Sequence, residues 1–478
     1  MKNFEDHSHL IDETKQVDRK MQSKIDAGEA KNFSEAQELV MFDDTFAIDK
    51  ERDIADIKKL MRRVRKDPKI GRLGSEYSQE GDKKYGWLKY LDEQVEAGQW
   101  EEDDLNFVIE ELRKERIDDY FGNVARKYES AMPIPDSIVR LDQEAEIAET
   151  LRGDKPVLIR GNWRIGKTSM TRSLETHQFG SENSIIIDAM AESAGRDESL
   201  EDFQKHFGAH TIARFIAERE LTGAELEDRF EKENELRKQI AESQKSPFEF
   251  LNNYLVQRGE KVFLSLDEVI GFAEQPEKLK YLADLKGLSN IQLTIVLHRF
   301  ASFESSFKEI FDGYETHFVH SLTLEEVGTL VRKPLEGTQI IFTDDAIQKI
   351  FAFTGGRPME INNVCRALMD QFSEHKNYKF TYHAEDIDAL TGKETWQFGE
   401  SFRVAIDTYK RVYGRSMSDE ERAIIDRLIE RDEVPVSEID AEKVQSLIDT
   451  TFVAKDESKE IYRVNGILFK RVVLDQNL

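Results

Sequence analysis

Residues Val157 to Thr171 read VLIRGNWRIGKTSMT. An apolar strand enters a loop and then a helix opening at Ser169, which is the G-x-x-x-x-G-K-[ST] pattern of a phosphate-binding loop in its strand, loop and helix setting. Each residue type has a physical task there. Gly161 and Gly166 permit turns that a side chain blocks. The intervening Asn162, Trp163, Arg164 and Ile165, with the first helical turn at Ser169, can then aim backbone N–H groups at anionic oxygens. Lys167 is expected to reach β and γ phosphates, and the Thr168 hydroxyl to ligate Mg2+.

Further along, Lys261 to Glu268 (KVFLSLDE) is an apolar strand that delivers two carboxylates at its end. Asp267 is expected to hold the metal and Glu268 to polarise an attacking water. Asn290 to Arg299 (NIQLTIVLHR) is another buried-type strand, and at its end Arg299 either senses a γ-phosphate or forms a surface ion pair. His298 has no metal partners visible in the sequence and reads as structural or solvent-facing. Ser184 to Asp188 (SIIID) adds a strand rich in β-branched residues, and alternation of strands with helices points to a parallel α/β sheet.

The chain has 478 residues, enough for two to four domains. A net charge of −27 argues against a broad surface for nucleic acid or anionic membrane. The single cysteine, Cys365, excludes an internal disulfide framework and a Cys-based zinc site, and suits a reducing compartment. It stands at helical spacing with Ile361, Val364 and Leu368 and reads as core. No segment approaches the run of about 18 apolar residues that spans a bilayer, and the N-terminal stretch lacks an apolar signal core. A cytoplasmic protein with no membrane partner is expected.

Residues 1–34 read as a polar tail and 35–132 as a helical region. Ile54, Ile57, Leu60, Met61 and Val64 share one face there, and Leu105, Val108, Ile109 and Leu112 another. Arg62, Arg63, Arg65, Lys66 and Lys69 complement a helix C-terminus or form a partner patch. The prolines of Met132 to Pro135 mark a linker. The phosphate-loop core is expected over 133–320, with a helical insertion at 200–255. The insertion's charged middle, AELEDRFEKENELRKQIAES, is a solvated protrusion or a contact for a protein partner or a second copy. The helices SLTLEEVGTLV, capped by Thr323, TDDAIQKIFAFTGG and RPMEINNVCRALMDQF form a lid over 321–400.

This order of motifs resembles the AAA-like, STAND-related P-loop ATPases, distant relatives of the origin-recognition ATPases. The residues that carry the resemblance are IVRLDQEAEIAETL, GNWRIGKTSM, LSLDEV, the strand ending LHR, LTLEEVGTLV and FTGGRPMEINNVCRAL, over about residues 136–375. The chain departs from the family pattern at Asn162-Trp163 and in the long 200–254 stretch. The resemblance implies an ASCE-type α/β core with a helical lid, ATP and Mg2+ bound between them, and use as a nucleotide-driven switch. By that match Lys167, Thr168, Asp267 and Glu268 carry over, with Arg299 as sensor and Arg357 or Pro358 as lid contacts.

Residues 401–478 follow a winged-helix order, as do the C-termini of such relatives: ERAIIDRLIER, a short helix PVSEID, AEKVQSLIDT, then strands TFVAK and IYRVN. The third helix would read DNA in a nucleic-acid binder. Here it carries Asp440, Glu442 and Asp449 against Lys443. Two functions follow: an ATP-hydrolysing switch acting on a protein partner, or a nucleic-acid-associated ATPase. The acidic third helix favours the first.

Overall fold

The computed structural model describes residues 19–30, 33–66, 93–98, 102–128, 140–192, 199–272, 275–298, 309–369, 378–392 and 399–476. The linker Met132 to Pro135, most of the N-terminal tail and Arg299 lie outside the described residues. The chain divides into two compact units.

The larger unit, residues 129–336, 344–364 and 387–478, is built on a five-stranded sheet. Its strands are β1 (Val157–Gly161), β2 (Ser184–Asp188), β3 (Val262–Asp267), β4 (Ile291–His298) and β5 (Glu315–Val319). They lie in the order β2-β3-β4-β1-β5, all parallel. A parallel sheet is covered on both faces, which is why these strands are apolar runs rather than alternating ones. All six residues of β3 are buried. Strand β5 was not legible, because ETHFV opens with three polar residues and has only two apolar ones, although His317 and Val319 are buried. Parallel register gathers the strand ends that carry chemistry: Gly161 lies beside His298, and Asp188 beside Asp267.

Helix α1 (Leu141–Arg152) buries Ile147, Ala148 and Leu151 with Val157, Ile159, Phe263 and Val296, and α2 (Lys167–Ser173) leaves the loop. The 200–255 stretch is four helices, α3 (Leu200–His206), α4 (Ala209–Glu220), α5 (Leu226–Glu242) and α6 (Pro247–Arg258). Ser246 and Glu249 close a reciprocal cap at the start of α6. The charged α5 packs through Leu236 and Ile240, while Leu226 and Phe230 stay exposed.

Helices α7 (Leu324–Arg332), α8 (Asp344–Thr354) and α9 (Pro358–Met369) follow, with Thr323 capping α7 as expected. Between α8 and α9, Gly355 and Gly356 have φ of 64° and 75°, the left-handed region. A Cβ on Gly356 would stand 2.2 Å from Leu322 O, and one on Gly355 would stand 2.8 Å from Asn465 Oδ1. The backbones therefore meet with no room for a side chain.

The C-terminal elements are α10 (Gly399–Arg411), α11 (Asp419–Arg431), β6 (Val434–Pro435), α12 (Ala441–Asp449), β7 (Val453–Asp456), β8 (Ile461–Val464) and α13 (Ile467–Gln476). The three strands form an antiparallel sheet in the order β6-β8-β7. PVSEID is a correction to the sequence reading: Val434 and Pro435 pair with β8, and only Val436–Glu438 turn helically. Proline at an edge strand loses no ladder bond. The terminal α13 was missed; it buries Leu468, Phe469, Val472 and Val473.

The smaller unit, residues 1–128, 337–343 and 365–386, contains helices Phe33–Thr45, Ile54–Lys66 and Glu102–Arg126. Ile57, Leu60, Met61, Val108 and Leu112 form its apolar contact, and Phe42, Phe46, Phe121 and Phe380 cluster. Cys365 is fully buried. Among the described residues, no helix is long and apolar enough to cross a membrane.

Candidate functional site

The loop between β1 and α2 is shaped by its backbone. Gly166 has φ 97°, and a Cβ on Gly161 would stand 2.9 Å from Val319 O on β5. Both glycines are therefore required by geometry. Arg164 also takes a left-handed φ, of 59°, with its side chain exposed, whereas Ile165 is buried in the core beneath the loop. Trp163 N–H donates to Asn162 Oδ1 at 2.8 Å, an internal tie that sets the first loop turn. Ser169 is half-buried in the first turn of α2.

Lys167 is buried and donates to Asn162 O at 2.8 Å. Burial lowers its ammonium from the ordinary 10.5 to about 8, although Asp267 and Glu268 pull the other way. Thr168 Oγ1 donates to Asp267 Oδ2 at 2.6 Å, so the hydroxyl and carboxylate expected to share a metal already converge. Burial raises Asp267 above the usual carboxylate range, against that hydrogen bond. A hydroxyl and a carboxylate oxygen suit Mg2+, which is seldom caged by protein alone. Among the described residues, no group of three or more His, Cys, Asp or Glu could hold a metal.

Glu268 ends β3 with φ 54°, a strained conformation for a side-chain-bearing residue, fixed by its N–H on Asp267 Oδ1 at 2.8 Å. Its carboxylate meets His298 Nε2 at 3.0 Å, and that hydrogen bond holds it below its usual range. His298 is therefore no solvent-facing residue. It is 8% exposed, and burial first and then Lys167 lower its basicity, against the hydrogen bond to Glu268. The sequence signal that could have found it was its place at the end of β4, beside the strand carrying the loop. Arg140 was also missed: its Nη1 lies 3.1 Å from where a Gly166 Cβ would be, and Nη2 donates to His320 O at 2.5 Å.

Of the lid residues, Pro358 comes beside the loop, with Cγ 3.9 Å from the same Gly166 position. Arg357 is placed differently from the expectation of a nucleotide contact. It is 3% exposed, donating to Thr451 O at 2.7 Å and Thr354 O at 3.2 Å, with the rings of Tyr409, Phe452 and Phe469 at 5.3, 5.2 and 5.8 Å. The guanidinium is a strut between lid and C-terminal module. Arg299 lies outside the described residues.

A glycine loop on β1, an acidic pair ending β3, and an inserted β4 between those two strands together decide the architecture. The core is a five-stranded parallel α/β sheet with a phosphate-loop turn leaving its β1 strand. No family model matches the chain, and no curated protein matches it in sequence. Among solved structures, the chain is similar to the Walker-type ATPase of Pyrococcus abyssi, at 14% identity and a TM-score of 0.43, covering 70% of this chain and 95% of that one. It is also similar to the Aeropyrum pernix ORC1 protein in complex with DNA, at 11% identity and a TM-score of 0.34, covering 73% and 94%. The Thermotoga maritima RuvB Holliday junction branch migration motor follows at 12% identity and a TM-score of 0.31, covering 70% and 94%.

Proposed function

We propose that this protein binds and hydrolyses ATP at the loop and uses the nucleotide state to move its C-terminal module against a protein partner. The observation that carries the reading is the Asn162 side chain, which donates from inside the phosphate loop to Thr450 O at 3.0 Å, just past α12. A loop that rearranges around phosphates thereby pulls directly on that module. Asn162, Trp163 and His298 also line a cavity of about 100 Å³ with Arg411, Ser446 and Leu447, so the module closes one side of the site.

In this reading the loop N–H groups and Lys167 hold the phosphates, and Pro358 bounds the site from the lid. Glu268 orients and polarises the attacking water, and Arg299 reports the γ-phosphate. A Mg2+ ion held by Thr168 and Asp267 supplies charge neutralisation on the phosphate oxygens when bound. DNA reading by the winged-helix elements is disfavoured by charge. Lys443 is paired with Glu420 at 3.1 Å, Lys455 with Glu457 at 2.9 Å, and Lys470 with Asp432, so these cations are already engaged by carboxylates.

Hydrogen–deuterium exchange of the full chain with Mg·ATP, Mg·ADP or neither tests the coupling. ATP is expected to change exchange in peptides spanning 445–466 relative to ADP. Tight ATP binding with identical exchange in all three states would refute it.

A further inference from the structure

Leu226, Phe230, Leu236 and Ile240 fall on one side of α5 at helical spacing, an apolar stripe of which only half is covered. Leu236 and Ile240 are buried, whereas Leu226 is 80% exposed and Phe230 64%. These two side chains, one turn apart, border a groove of about 720 Å³ whose α4 wall includes His210, Arg214 and Ala217. The cations lining the groove are engaged within it. Arg214 Nε donates to Glu218 Oε1 at 2.9 Å, and Arg229 donates twice to Ala224 O, at 3.0 and 2.8 Å. His210 Nδ1 lies 2.9 Å from Glu233 Oε1. Glu227 and Glu231, on the same rim, hold no hydrogen bond or ion pair among the described residues. Arg237 and Lys238 lie further along α5 and do not line the groove. A leucine and a phenylalanine side by side on a charged rim mark a contact surface rather than scattered surface apolars.

We propose that the groove between α4 and α5 docks a basic amphipathic helix of a partner protein. Apolar side chains of that helix pack on Leu226 and Phe230, and Lys or Arg beside them meet Glu227 and Glu231. Charge decides among the occupants. Nucleic acid or an acidic lipid surface is repelled by the two free carboxylates. A symmetric contact with a second copy sets Glu227 and Glu231 near their own counterparts, like against like. A neutral apolar segment covers the leucine and phenylalanine but desolvates carboxylates that it cannot pair. A cationic amphipathic helix meets both the apolar floor and the acidic rim. The groove lies on the insertion, and its role does not depend on the nucleotide reading above.

The probe is a fluorescein-labelled synthetic helix of about 20 residues, with Leu along one side and Lys or Arg elsewhere; its control carries Glu in place of every cation. Fluorescence anisotropy with the full chain is expected to give a Kd of about 10 μM or tighter for the basic peptide, and no binding of the acidic one. Leu226→Ser combined with Phe230→Ser is expected to weaken binding about tenfold and, since both side chains are exposed, to keep the wild-type melt. Glu227→Gln with Glu231→Gln is expected to weaken it about fivefold, and decides the matter where the serine variant does not fold. Glu336→Gln with Glu430→Gln removes two exposed carboxylates on other elements and is expected to leave the Kd unchanged. No binding of the basic peptide, or binding indifferent to Leu226 and Phe230, overturns the proposal. Equal losses in the two glutamine pairs also overturn it, by reducing the effect to net charge. Sedimentation that shows self-association of the wild type, lost in the serine variant, gives the groove to a second copy instead.

Discussion

Replacing Arg357 by alanine asks whether the lid arginine serves the nucleotide or the C-terminal module. Its guanidinium gives two hydrogen bonds to backbone carbonyls, Thr451 O at 2.7 Å and Thr354 O at 3.2 Å. Each bond from a charged donor contributes roughly 1.5 to 3 kcal/mol, and a desolvated cation over aromatic rings about 2 kcal/mol more. Against this stands the cost of keeping a cation 3% exposed, several kcal/mol. Removing the arginine also strips Glu360 of its nearby positive charge, leaving Tyr409 as its hydrogen-bond donor. Deleting one member of such a buried charged group costs on the order of 3 to 5 kcal/mol. Hydrogen exchange across residues 445–475 reads this loss locally, and urea unfolding reads it in the whole chain. Calorimetric ADP and ATP affinities are expected to stay at their wild-type values. A variant with wild-type protection and lost ATP affinity would refute the placement and restore Arg357 to the nucleotide.

Lys167→Ala is expected to abolish tight ATP binding without loss of fold, because the side chain serves the loop and is no part of the apolar core beneath it; calorimetry and a thermal melt check both halves. Glu268→Gln is expected to keep Mg·ATP through Thr168 and Asp267 yet lose most single-turnover hydrolysis, and unaltered turnover would place the catalytic carboxylate elsewhere. Glu360 is expected to make stability depend on pH, since burial raises its carboxyl from 4.5 to about 7 despite Arg357 and Tyr409. The unfolded chain releases that proton first, so the contribution of Glu360 to stability is greatest below about 4.5, falls by about 3 kcal/mol up to about pH 7, and is flat above. Glu360→Gln should remove that slope and melt higher at pH 8; parallel wild-type and variant curves would sink the assignment.

What the sequence disclosed was local. Gly161, Gly166 and Lys167 are legible because a strand, a tight loop and a helix N-terminus fall within fifteen consecutive residues, and Asp267-Glu268 because an apolar strand announces its own end. For His298 the structural alternative holds, but its partners, Lys167 and Glu268, were not legible because they come from other elements, and only the β1–β4 register shows that they meet. Arg357 was misassigned for the same reason. Its aromatic surroundings come from Tyr409, Phe452 and Phe469, whose convergence no spacing in the lid motif encodes. Strand β5 escaped notice because a half-buried edge strand that opens with the polar run Glu315, Thr316 and His317 looks like loop.

The glycine seam between α8 and α9 also bears on how the protein is made. Gly355 O is capped by the Asn465 side chain, 110 residues further along the chain. At roughly 5 to 20 residues per second, the ribosome delivers that partner on the order of ten seconds after the glycines. For that interval the nascent lid lacks the Asn465 cap and Thr451, the acceptor of Arg357. Synthesis of this protein therefore contains a window in which the core has all its strands while the lid's buried arginine has no far acceptor. Truncation before Thr451 should leave that intermediate for chaperones to hold.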